Sequence, residues 1–284
     1  MSWFVVSLLC AVAEAAKDTA CKLSIRESDS LTISLASLLV PLPYFLVRAV
    51  AEPLPHLDHF FFLALFCHCT LFSASLALYN QALKMSPLSL TVPLVCFTPA
   101  FFIVTSPLIL GETISPWGIA GCALIVLGGY SLYVEDGSFE LLGPLRAIAR
   151  ERGAWYMLIV AFVWSITGNF DRMGVLHSNT HVWPAASLTA ISLVLAGARR
   201  VSGSKRPIAT RKNIVAGTLN GFSIYFYIWG ISLQKVAYVV TVKRLSVLLG
   251  VVLGAVLFRE ANFRQRLFGA SLMVIGVMCV AFAK

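Results

Sequence analysis

The fold class this sequence predicts is an all-α integral membrane protein of ten transmembrane helices, arranged as two inverted five-helix repeats. Three observations carry that expectation. Apolar residues make up 58% of the chain, charged residues only 12%, and the mean hydropathy is +0.84; a soluble domain carries roughly 25% charged residues. The apolar residues are gathered into runs long enough to cross a bilayer as helices, which takes about 20 residues each. The second half of the chain repeats landmarks of the first.

Taken in order, the runs cover 3–21, 31–50, 60–83, 87–110, 116–134, 154–172, 182–198, 213–233, 237–258 and 265–283. The first has neither the basic leader nor the small-residue cleavage site of a removable signal, so it is expected to stay as a span. Pro93, Pro99 and Pro107 interrupt the fourth, freeing backbone carbonyls and offering hinges. Between the fifth and sixth, Leu141, Leu142, Leu145, Ile148 and Ala149 fall on one helical face, with Arg146, Arg150 and Arg152 opposite. That pattern predicts an interfacial linker helix over 136–153, between a first repeat at 1–135 and a second at 154–284.

The repeat is explicit. Glu112, Gly121 and Gly128 recur as Glu260, Gly269 and Gly276, and Lys22 is matched by Arg172. Each half holds an odd number of spans, so the second copy enters the membrane upside down. Inverted repeats of this kind characterise secondary transporters, with the site near the midplane between the copies. The paired glycines allow close backbone approach where no hydrophobic effect drives helices together.

The net charge of +9 does not mark a nucleic-acid binder, because the basic residues fall mostly in short loops between apolar runs. They favour the odd-numbered loops, as with Arg199, Arg200, Lys205, Arg206, Arg211 and Lys212; the even loops and termini hold Arg48, Arg172, Lys235 and Lys284. Counted alone, this puts both termini outside. All the cysteines lie in apolar runs, which argues against a disulfide framework. In Cys67-His68-Cys69 neighbouring side chains point about 100° apart on a helix, so no metal site is expected.

The charges buried in the spans are the candidate site. Lys243 and Arg244 lie about four residues from the middle of the run 236–258, only about 6 Å from the midplane at ~1.5 Å per residue. A cation there costs at least ~2.5 kcal/mol without a partner, water or substrate. The alternatives are snorkelling to a helix end or a structural ion pair. On the first span Glu14, Lys17, Asp18, Cys21 and Lys22 share one helical face, which must point into the protein. Glu14 and Asp18 are the candidate proton-coupling groups; the alternative is a self-neutralised cluster that fixes helix packing. Tyr79, Asn80, Trp164, Asn169, Tyr225 and Tyr227 could complete a substrate site, or serve only as packing and interfacial anchors. Glu112 and Glu260 read as loop and cap residues.

Ala82-Leu83-Lys84-Met85-Ser86-Pro87, Leu110-Gly111-Glu112 with its glycines, and the second-half copies ending in Arg259-Glu260 resemble the drug/metabolite transporter superfamily, EamA type. The resemblance covers essentially the whole chain. It implies the two-repeat fold, cytoplasmic termini and a multi-pass protein of the bacterial inner (plasma) membrane; orientation stays open between this and the charge count. Residues 13–22 are similar to the first helix of the small multidrug resistance proteins, where Glu14 falls on the coupling carboxylate and Thr19 and Lys22 also match; Lys17 and Asp18 depart from that pattern. Lys243-Arg244 looks like the phosphate-holding pair of the plastid triose-phosphate translocators.

Together these features predict a secondary active transporter of a small polar, amino-acid-like or anionic metabolite, coupled to protons by antiport. Its expected partners are a small-molecule substrate, protons and the lipid bilayer, with no nucleic acid and no cofactor, as monomer or homodimer. Efflux of cationic drug-like or amine compounds is the second reading, and a non-transporting scaffold or sensor the third. No nucleotide-binding glycine loop, HExxH or Ser/His/Asp set is evident, so neither ATP-driven transport nor an enzyme is expected.

Overall fold

The computed structural model describes residues 2–24, 28–85, 92–131, 151–249 and 263–282. The interfacial linker expected at 136–153 falls almost wholly outside them, as do Glu260, residues 250–258 of the ninth run, and the side chains of Lys22 and Asn80. The helices are α1 (Ser2–Ser24), α2 (Ser30–Leu39), α3 (Leu42–Ala51), α4 (His59–Met85), α5 (Thr98–Leu110), α6 (Pro116–Ser131), α7 (Arg152–Leu176), α8 (Val182–Val201), α9 (Arg211–Leu233), α10 (Val236–Lys243) and α11 (Phe263–Ala281). Among the described residues, Ser30–Ala51, His59–Tyr79, Arg152–Leu176, Val182–Val201 and Arg211–Leu233 are each long and apolar enough to cross a membrane. Shorter apolar helical segments lie at Leu94–Leu110, Pro116–Gly128 and Ser271–Val280. α1 has spanning length, 23 residues, but carries Glu14, Lys17, Asp18 and Lys22.

Three spans are less regular than their apolar runs suggest, and each irregularity has a local cause. The second is interrupted between α2 and α3, where Pro41 cannot donate to the helical ladder. In the described part of the fourth, Val92–Phe97 forms a 3₁₀ turn and Thr98–Leu110 an α-helix, with Pro99 in its first turn and Pro107 inside. It stops at Gly111, whose φ of 68° is a left-handed cap that donates to Pro107 O. The ninth, expected as one helix over 237–258, breaks its α ladder at Arg244. There the Arg244 amide is shared by Val240 O and Thr241 O, and Val247 N reaches back only three residues to Arg244 O.

The packing obeys the duplication. α1 lies against α9 and α4 against α7, which are equivalent pairs when the halves are exchanged; α6 packs on α11, and α2 on α8. The α6–α11 contact shows why the glycines repeat. A Cβ at Gly121 would sit 2.6 Å from Gly276 O, and one at Gly128 would sit 2.6 Å from Gly269 O. Exchanging the halves maps one contact on to the other, so the two helices cross antiparallel with backbone on backbone. In lipid that closeness is held by dispersion between well-fitted surfaces. The outward faces carry Phe66, Leu108 and Leu193, all strongly exposed, as a lipid-facing surface requires.

Candidate functional site

The first helix faces α9 with its charged stripe. Lys17 Nζ stands 2.7 Å from Glu14 Oε1 and 3.0 Å from Asp18 Oδ1, so one ammonium bridges both carboxylates. Glu14 Oε2 accepts a hydrogen bond from the Ser223 hydroxyl of α9 and lies 3.5 Å from Lys243 Nζ. Glu14 is thus surrounded by donors from three helices. Its side chain is 18% exposed, whereas that of Asp18 is 60% exposed. Lys243 also sits over the Tyr227 ring, 5.0 Å from its centroid, a cation–π contact that lowers the cost of an ammonium at this depth.

Arg244 points elsewhere. Its NH2 donates to Thr98 Oγ1 at 2.9 Å, in the first turn of α5, while its buried Nε has no hydrogen-bond partner among the described residues. The helix break and the Pro99-containing start of α5 therefore meet around one guanidinium with donors to spare.

The structure brings together Glu14, Lys17, Asp18 and Lys243, with Arg244 one residue further along. The other expected residues divide. Tyr79 and Trp164 stack on each other, ring centroids 5.7 Å apart, and the Trp164 indole donates to Ser75 Oγ at 3.0 Å. Asn169 is fully buried in a hydroxyl knot. It accepts from Ser106 at 2.9 Å and donates to Thr105 Oγ1 at 3.0 Å and Ser165 O at 2.8 Å, tying α7 to α5. Tyr225 lies with Thr180, His181 and Trp229 around a small pocket, edge-on to Tyr44. Tyr227, beneath Lys243, is part of the charged centre.

Sequence reasoning passed over one residue of consequence, Asp171. It lies near the end of the sixth apolar run, 154–172, and α7 continues past it to Leu176. Asp171 Oδ1 accepts from the Trp183 indole at 2.8 Å and is 3.4 Å from His68 Nδ1; Oδ2 accepts from the Tyr227 hydroxyl at 3.2 Å. Trp183 can approach because residue 174 is glycine: a Cβ there would lie 1.9 Å from the indole. Asking which carboxylates lie inside apolar runs would have found Asp171. Next to it, Arg172 Nε donates to Glu112 Oε1 at 3.2 Å, and its NH1 donates to Ile231 O. Glu112 does sit in the loop after α5, but it anchors that loop to α7 through this pair.

Two copies of one family profile match the chain, that of the EamA-like transporter family, over residues 1–134 and 151–282. The chain belongs to the EamA-like transporter family. As a member of it, the protein is a multi-pass integral membrane protein of a transporter family, acting on a small-molecule substrate within the lipid bilayer. The EamA protein is also similar to a solved structure described as "Crystal structure of protein", with a TM-score of 0.76 at 16% identity over 99% of this chain and 96% of that one. No curated protein matches it.

Proposed function

We propose that this EamA-family protein is a proton-coupled secondary transporter of a small polar metabolite with one anionic end, such as an amino acid or a phosphorylated compound, working in a plasma membrane of the bacterial inner-membrane kind. Lys243 and Arg244 take the anionic group, and Glu14, Lys17 and Asp18 line the opposing side. The observation that carries the reading is Arg244: a buried guanidinium whose Nε has no acceptor among the described residues, one residue from an ammonium, at a helix break. An unpartnered buried donor is costly. An entering carboxylate or phosphate would supply the missing acceptor, bidentately. Efflux of cationic amines has less support, since Lys17, Ser223 and Lys243 already occupy the Glu14 carboxylate.

The test is thermal stabilisation of the purified protein across a metabolite panel, since binding stabilises by mass action. Anionic metabolites should stabilise the native protein and fail to stabilise Arg244→Gln, which should remain monodisperse while losing uptake. If Arg244→Gln does not fold, the guanidinium is structural. Antiport through Glu14 and Asp18 is the form of coupling to test first. Proton release on substrate binding, compared between native protein and Glu14→Gln, should differ if Glu14 exchanges its proton for substrate.

A further inference from the structure

The second buried carboxylate, Asp171, is served by neutral donors. The Trp183 indole and the Tyr227 hydroxyl donate to it, and Arg172 beside it is taken by Glu112. Among the described residues, the group near it able to become a cation is His68, whose side chain is 7% exposed, like Asp171's at 14%. His68 Nδ1 has two neighbours, Asp171 Oδ1 at 3.4 Å and Thr167 O at 3.2 Å. Both are acceptors only, so Nδ1 must carry a hydrogen. The proton that comes and goes is therefore the one on Nε2.

Tyr227 joins this pair to the charged centre. Its hydroxyl holds Asp171 and its ring lies under Lys243. The groups facing the pair are Cys69 on α4, Trp183 on α8, Tyr227 on α9 and, beyond the Tyr227 ring, Lys243 and Arg244. With His68 neutral, the described central charges cancel: Lys17, Lys243 and Arg244 against Glu14, Asp18 and Asp171. Asp18, though exposed, is held to Lys17 at 3.0 Å. One added anion leaves this low-dielectric centre with a net negative charge, and a buried uncompensated charge is expensive.

We propose that His68 with Asp171 is the proton-binding site of this transporter, and that a proton enters it together with the anionic substrate. One proton from water adds to His68 Nε2, turning imidazole to imidazolium, as one negative charge arrives at Lys243 and Arg244. The ion pair His68–Asp171 forms as Lys243 turns its charge to the substrate. This deepens the transporter reading and rests on its anionic substrate; it replaces proton release from Glu14, whose carboxylate is already paired with Lys17 and Lys243, by proton uptake at His68.

The experiment uses the full-length protein in detergent with ¹⁵N-labelled histidine, the His68 signals being assigned by their loss in His68→Gln. Nδ1 should remain protonated on both sides of the titration. In Lys243→Gln, without substrate, the His68 midpoint should rise by about 1 pH unit, because a nearby positive charge has gone. Inorganic phosphate is the anionic probe. Saturating phosphate should raise the midpoint in the native protein, and its binding should take up close to one proton in weak buffer, an uptake lost in His68→Gln. A midpoint that Lys243→Gln leaves unmoved overturns the coupling, whatever the substrate. So does phosphate binding whose proton uptake survives in His68→Gln. If Lys243→Gln moves the midpoint but phosphate neither stabilises the protein nor shifts His68, the anionic-substrate reading is what fails, and co-entry of proton and anion falls with it.

Discussion

α1 packed on α9 and α7 packed on α4 are the same construction twice, yet they differ in chemistry at the matching positions. In the first pair Ser223 donates to Glu14. An offset of 150 residues carries Ser223 to Ser73 and Glu14 to Trp164. Trp164 has no carboxylate to offer, donates instead to Ser75, and stacks on Tyr79; Ser73 Oγ is left buried without a partner among the described residues. The carboxylate of the second pair appears two turns further along, at Asp171, where the first pair has Cys21. Duplication preserved the backbone crossings and freed the side chains between them to diverge. Divergence of this kind lets a symmetric fold set a cation of one half, Lys243, against a carboxylate of the other, Glu14.

The sharpest way to break the comparison is to remove charge from one pair alone. Glu14→Gln leaves Lys17 and Lys243 facing each other without their shared acceptor and should cost about 3 kcal/mol, since breaking a buried pair strands its partner. Trp164→Phe, at the matching position, should cost about 1 kcal/mol for its lost indole hydrogen bond. Thermal unfolding in detergent measures both, and equal costs would mean that the charges carry no special weight. Adding Lys243→Gln to Glu14→Gln should recover part of the loss, whereas simple additivity would show that the two do not interact.

Gly128→Val tests what the halves share. Its side chain would collide with Gly269 O and Met273 on α11, so a loss of about 2 kcal/mol is expected from overpacking. Gly276→Val, in the exchanged position, should cost a similar amount; unequal losses would show that the two contacts are not equivalent in energy. A finer probe is the serine pair itself. Ser223→Ala should cost about 1.5 kcal/mol, the value of a hydrogen bond to a charged group, while Ser73→Ala should be near neutral because its hydroxyl bonds to nothing.

The smallest effect lies at the membrane edge, where Asp58 joins the loop before α4 to His177 after α7 at 2.7 Å. Partial desolvation pushes the Asp58 carboxyl up, but the Phe61 amide and His177 outweigh it and hold it below the usual carboxylate value. A depressed acid contributes stability that is complete above its ordinary pKa and is lost as pH falls through the lowered one. The acid side of a melting-temperature profile should therefore be less steep in Asp58→Asn than in the native protein. Identical acid limbs would show that the pair makes no contribution.

Much of the fold could be read without a structure. Apolar runs of bilayer length and the repeated Glu/Gly spacing are chemical necessities, because a chain in lipid must satisfy its own backbone and bring helices together through small residues. The depth of Lys243 and Arg244 was equally legible, since it depends only on counting along a run. The break at Arg244 was not. Nothing in its apolar flanks signals that the turn tightens there, and its cause lies in backbone bonds to Val240 and Thr241.

What the sequence determined by itself was which groups are too polar to face lipid: Glu14, Lys17, Asp18, Lys243 and Arg244. Their costs follow from position in a run and need no knowledge of neighbours. Only the tertiary structure decided who meets whom. It set Lys243 between Glu14 and Tyr227, sent Arg244 to Thr98, bonded Asn169 to Thr105, Ser106 and Ser165, and drew His68 to Asp171 from helices far apart in the chain. Hydropathy is a property of one segment, whereas a hydrogen bond between helices depends on how two segments rotate and cross.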